Sequence, residues 1–170
     1  MNDALVLAAH AIVIGIGATA LMDLFAMLRQ RLFGISSTDY ALVGRWIAHM
    51  AKGRFRHDSI AAAAPARGER AIGWATHYLT GISFASVLLA TSGIDWVRQP
   101  TIVPALVVGI GSVAAPFLLM QPGMGLGVAA SRAPDPRAAR LRSLTTHTVF
   151  GLGLYFAGLA AGWLMSAIAF

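Results

Sequence analysis

Asp23 lies in the run Gly15-Ile16-Gly17-Ala18-Thr19-Ala20-Leu21-Met22-Asp23-Leu24, a stretch too apolar to be anything but a membrane span. A charged side chain near the middle of a bilayer costs on the order of 3 kcal/mol on insertion scales, so it must face the protein interior, find a partner or be protonated. That requirement shapes the chain. Apolar helices have to pack around a polar seam within lipid.

Hydrophobic residues make up 57% of the 170 positions and mean hydropathy is +0.69, against roughly 45–50% apolar in soluble domains. At roughly 20 apolar residues per spanning helix, four spans with modest loops use nearly the whole chain: Ala4–Leu28, Ala71–Thr91, Thr101–Met120 and Ser143–Ala167. The expected fold is one all-α domain, an integral membrane four-helix bundle. The first span mimics a signal peptide at Ala18-Thr19-Ala20, but no Lys or Arg precedes it and it runs on to Met27, so it is expected to be retained.

No cysteine is present, which excludes disulfides, thiolate metal sites, iron–sulfur clusters and cysteine nucleophiles. The net charge of +6 comes from basic residues in connections beside apolar spans, so anionic lipid headgroups rather than nucleic acid are the expected counterpart. Arg45, Lys52, Arg54, Arg132, Arg137 and Arg140 are the candidate headgroup contacts. Of the thirteen Lys and Arg, eight lie between Arg29 and Arg70, four between Arg132 and Arg142, and only Arg98 between spans two and three. Basic connections stay cytoplasmic, so both termini are expected outside a bacterial inner membrane. Trp46 and Trp74 then fall at the inner interface, Trp96 and Trp163 at the outer one.

The connection from Gly34 to Arg70 carries a short amphipathic pattern: Tyr40, Val43, Trp46, Ile47 and Met50 on one side, Arg45, His49 and Lys52 toward the other. With Ser37 or Thr38 as N-cap and Gly53 as terminator, it reads as an interfacial helix on the membrane surface. Pro104 and Pro116 predict a bend in span three. Gly123-Met124-Gly125-Leu126-Gly127 lacks the G-x-G-x-x-G spacing of dinucleotide sites and comes after no strand, so it reads as a turn. A second basic loop is expected from Ser131 through Arg137, Arg140 and Arg142. Gly158 and Gly162 form a G-x-x-x-G pair, a helix-contact signal compatible with a homo-oligomer.

Counting about 1.5 Å per residue from the nearest arginine places Asp23, His77 and His147 roughly 8–10 Å inside the inner boundary. Each lies on the small-residue seam of its span. Gln121, Thr19 and Thr80 extend this expected buried polar layer, whereas His10 lies too far outward and His49 and His57 read as interfacial. Four uses of the layer stay open: a structural hydrogen-bonded cluster, a metal or haem site with His77, His147 and Asp23 as candidate ligands, a proton- or solute-handling site, or a lipid-directed enzyme with Arg132, Arg137 and Arg140 as phosphate clamps. No cofactor is specified by these residues.

Gly17-Ala18-Thr19-Ala20-Leu21-Met22-Asp23-Leu24, Tyr40-Ala41-Leu42-Val43-Gly44-Arg45-Trp46, Met120-Gln121-Pro122, and Ala139-Arg140-Leu141-Arg142-Ser143 with His147 resemble a bacterial family of small four-span membrane proteins catalogued as a domain of unknown function. The likeness covers nearly the whole chain. It implies fold and location, and no reaction.

Overall fold

The computed structural model describes residues 3–168, all of whose regular elements are helical. In order they are α1 (Asp3–Phe33), α2 (Tyr40–Met50), a 3-10 turn (Ile60–Ala62), α3 (Glu69–Ser92), α4 (Asp95–Arg98), α5 (Ile102–Gly111), a π-helical stretch (Pro116–Met120), α6 (Gln121–Met124), a second 3-10 turn (Val128–Ala130) and α7 (Pro136–Ile168). Four stretches are long and apolar enough to cross a membrane: Ala4–Phe33, Glu69–Ser92, Ile102–Gly123 and Pro136–Trp163. Only 17–33% of the most apolar window in each is buried. The remaining apolar surface, including Ile12, Val13, Leu79, Val103, Val107 and Leu119, needs a lipid solvent.

Two compact units form. The first comprises Met1–Ser36, Tyr78–Gly111 and Thr146–Phe170, and its core holds Ile14, Ala18, Leu88, Leu89, Trp96, Phe150 and Leu154. Small residues bring its helix backbones together, as packing without a hydrophobic drive between helices requires. A Cβ on Gly15 would strike the Ile82 backbone, one on Gly81 the Thr19 hydroxyl, one on Gly153 the Ala18 backbone and one on Gly109 the Gly151 backbone. The second unit comprises Ser37–His77 and Ser112–Thr145, around Val43, Ile60 and Met124.

The structure revises several boundaries. Asp39, rather than Ser37 or Thr38, caps α2: its backbone is extended and its Oδ1 accepts from the Ala41 N–H at 2.9 Å. Helix α7 starts at Pro136, with Asp135 Oδ1 accepting from Ala138 N–H at 3.0 Å, so Arg137, Arg140 and Arg142 are helical rather than in a loop. Proline at the first helical position after an acidic cap is a start signal that outweighs the basic character of the next turns. In span three α5 runs unbroken through Pro104 and ends at Gly111, and Pro116 opens a π-helical turn.

Two aromatic and glycine assignments also change. Trp96 is not at a lipid interface; it is 5% exposed, and its indole N–H donates to the Thr101 carbonyl at 3.1 Å. Gly158 faces the Trp96 ring and Gly162 the Val97 carbonyl oxygen, so the G-x-x-x-G pair is filled from within the same chain by α4.

Candidate functional site

Within the first unit, the Thr19 hydroxyl donates to the Gly15 carbonyl at 2.7 Å, which satisfies it inside a helix crossing too tight for water. One turn further along α1, the half-buried Asp23 accepts from the Tyr78 hydroxyl on α3 at 3.1 Å. The sequence-derived layer misses Tyr78 because its seam runs through the neighbouring His77. Successive helical residues point about 100° apart, so they serve different neighbours.

His77, half-buried in the second unit, meets α2. Its Nε2 lies 3.0 Å from the Tyr40 hydroxyl, and the two rings stack with centroids 4.2 Å apart. Trp74 completes the aromatic group, 4.6 Å from Tyr40 and 5.8 Å from His77. His147 is half-buried on α7, and its carbonyl oxygen lies beside Gly109. Gln121 is buried, and its Oε1 has no hydrogen-bond partner among the described residues. Thr80, expected within the buried layer, is exposed. Among the described residues no group of three or more His, Asp or Glu side chains could hold a metal ion.

The second unit uses its polar side chains to clamp α2 against the segment after it. Arg45, expected at a headgroup, instead grips Glu69 through two hydrogen bonds of 2.9 Å and donates to the Ile60, Ala61 and Ala63 carbonyls. This bidentate contact holds the guanidinium proton more firmly than in a free arginine. Trp46 donates to the Phe55 carbonyl at 3.0 Å and lies over Gly123. Helical periodicity gives no sign of the pairing of His49 with His57: His49 Nδ1 and His57 Nε2 are 2.8 Å apart, and His57 is 6% exposed. A carbonyl can only accept, so His49 Nε2 carries the proton it donates to Ala64, at 3.1 Å. The His57 backbone N–H donates to the Gly123 carbonyl at 3.0 Å, tying this segment to the turn after α6.

Between those segments lies a cleft of about 470 Å³, lined by Arg54, Arg56, His57, Asp58, Pro122, Gly127, Val128, Ser131 and Arg132. Two of its arginines, Arg54 and Arg132, are among the expected headgroup contacts. Arg140, which is exposed, donates its Nε–H to the Ala129 carbonyl at 2.8 Å and so braces the loop that carries Arg132. Arg137 and Lys52 are exposed. The sequence signal for the cleft is weak: two basic clusters, each after a short helix and far apart in the chain.

No curated protein and no solved structure matches this chain. Its sequence does match one family over residues 12–161, in keeping with the resemblance carried by the Asp23, Trp46, Gln121 and Arg140 segments. The chain belongs to the family described as "Protein of unknown function (DUF2938)".

Proposed function

We propose that the chain is a non-enzymatic structural or transport-type component of the bacterial inner membrane, crossing it four times with both termini outside and its basic connections on the cytoplasmic side. The observation that supports this most is the way the spans treat their ionisable groups. Asp23 is held by Tyr78 and His77 by Tyr40, each across a helix contact. Such ties satisfy a costly polar group and fix helix register, which is what a stable bundle in lipid requires. Twelve of the thirteen Lys and Arg lie in the two stretches assigned to the cytoplasm, which supports the orientation.

Two measurements test the proposal. A reporter active only outside the membrane should work when fused after Phe170 or near Asp95 and fail at Arg56 or Pro134; activity at Arg56 would invert the topology. In detergent, Asp23→Ala and Tyr78→Phe should each lower stability by about 1–3 kcal/mol, because each removes one side of a hydrogen bond between helices. The double variant should lose less than the two losses added together. Wild-type stability in both single variants would show that the contact does not hold the bundle.

A further inference from the structure

We propose that the cleft lined by Arg54, Arg56, His57 and Arg132 is a binding site for a phosphate group, carried either by a lipid headgroup or by a soluble phosphate compound. Its charge is unbalanced: three arginines and one carboxylate, Asp58, line it. Four arginines outside the cleft are occupied: Arg45 by Glu69, Arg98 by Asp95, Arg140 by the Ala129 carbonyl and Arg142 by the Ala138 carbonyl. The guanidinium groups of Arg54, Arg56 and Arg132 have no such partner among the described residues. Three arginines line this one cavity, and the planar donor fork of a guanidinium suits phosphate oxygens. The Ser131 hydroxyl adds a neutral donor to the same wall.

The walls are also fixed in advance. Ala129 and Ala130 adopt left-handed backbone angles (φ 48° and 55°), which side chains bearing a Cβ rarely take, and Gly125 and Gly127 flank them at φ 97° and 73°. The turn is held by hydrogen bonds from Leu126 N–H to the Gln121 carbonyl and from Arg132 N–H to the Leu126 carbonyl, both 2.8 Å, as well as by Arg140. Strain of this kind persists where the surroundings over-determine it, and it clusters at ligand clamps. On the opposite wall, buried His57 is anchored by His49 and by the Gly123 carbonyl, which ties the segment Arg54–Asp58 to α6 just before the turn. Repelling arginines held together by a rigid backbone are preorganised for an anion. The cavity volume leaves room for a phosphate with the group that bears it.

The test uses the full chain in nanodiscs of a neutral, phosphate-free galactolipid. In one arm inorganic phosphate is titrated at constant ionic strength against chloride, with binding read by tryptophan fluorescence, since Trp46 bonds the Phe55 carbonyl between Arg54 and Arg56. In the other, phosphatidic acid is included in the nanodiscs and retained lipid is counted by native mass spectrometry. Saturable binding is expected in at least one arm, and the first or second arm identifies a soluble or lipid source. The variant R56Q/R132Q should bind about tenfold more weakly or worse, while the charge-matched R67Q/R70Q, outside the cleft, should bind as the wild type does. If R56Q/R132Q melts early, R132K replaces it; that variant keeps the charge but loses the fork and should also weaken binding. No saturable binding in either arm, or equal loss in R67Q/R70Q, would overturn the proposal.

Discussion

Replacing Gly73 with leucine should remove about 3 kcal/mol or more of stability, because the new side chain has no direction in which to yield. Helices α2 and α3 meet at two glycines in a reciprocal contact. A Cβ on Gly73 would strike the Tyr40 carbonyl oxygen, and one on Gly44 would strike the Glu69 carbonyl oxygen. Both obstacles are backbone, so no rotamer change relieves them. The two helices would have to separate, and with them would go the Arg45–Glu69 grip and the Tyr40–His77 stack, which depend on the same approach. Thermal unfolding in detergent should show the loss for Gly73→Leu and for Gly44→Leu, with little change for Gly111→Ala, where a Cβ meets nothing within 4 Å. A Gly73→Leu protein as stable as the wild type would mean that α2 does not dock on α3 at this point.

That junction also shows how much of the fold is legible in the sequence. The spans can be read directly, since an apolar run of sufficient length in a chain without enough polar surface has few other folds open to it. Helix α2 is readable from the spacing of Tyr40, Val43, Trp46, Ile47 and Met50. Its environment is not. Periodicity identifies an apolar face but is silent on what covers the polar one, and here Arg45 and His49 are covered by the Ile60–Glu69 segment and by His57.

Depth arithmetic is informative about the polar groups in a similarly partial way. It puts Asp23 and His77 at one level of the membrane and gives no sign of the bonds they make to Tyr78 and Tyr40, residues a hydropathy reading treats as ordinary aromatics. Rotation about a helix axis decides pairing, and an error of one residue shifts a side chain by about 100°. The cleft is harder still. It depends on the turn from Gly125 to Arg132, whose left-handed alanines no local preference predicts, and on a backbone bond between His57 and Gly123. Long-range closure of two irregular segments leaves no period in the sequence.

Gly158→Leu separates an intramolecular from an intermolecular use of the G-x-x-x-G pair, and it should also cost about 3 kcal/mol or more. A Cβ at Gly158 would lie 2.7 Å from two carbons of the Trp96 ring. That ring cannot swing aside freely, since it is buried and its indole N–H is held by the Thr101 carbonyl. At Gly162 the nearest atom is the Val97 carbonyl oxygen, again 2.7 Å away, so α7 lies against α4 along this whole stretch. The unfolding midpoint of Gly158→Leu should therefore fall by the same amount at every protein concentration, and tryptophan emission should shift to the red as Trp96 is hydrated. Adding Trp96→Ala should recover part of the loss, because the space vacated by the indole can accept the leucine; the two substitutions occupy one contact and should not be additive. A change in oligomer mass with an unaltered, concentration-independent midpoint would instead assign these glycines to self-association.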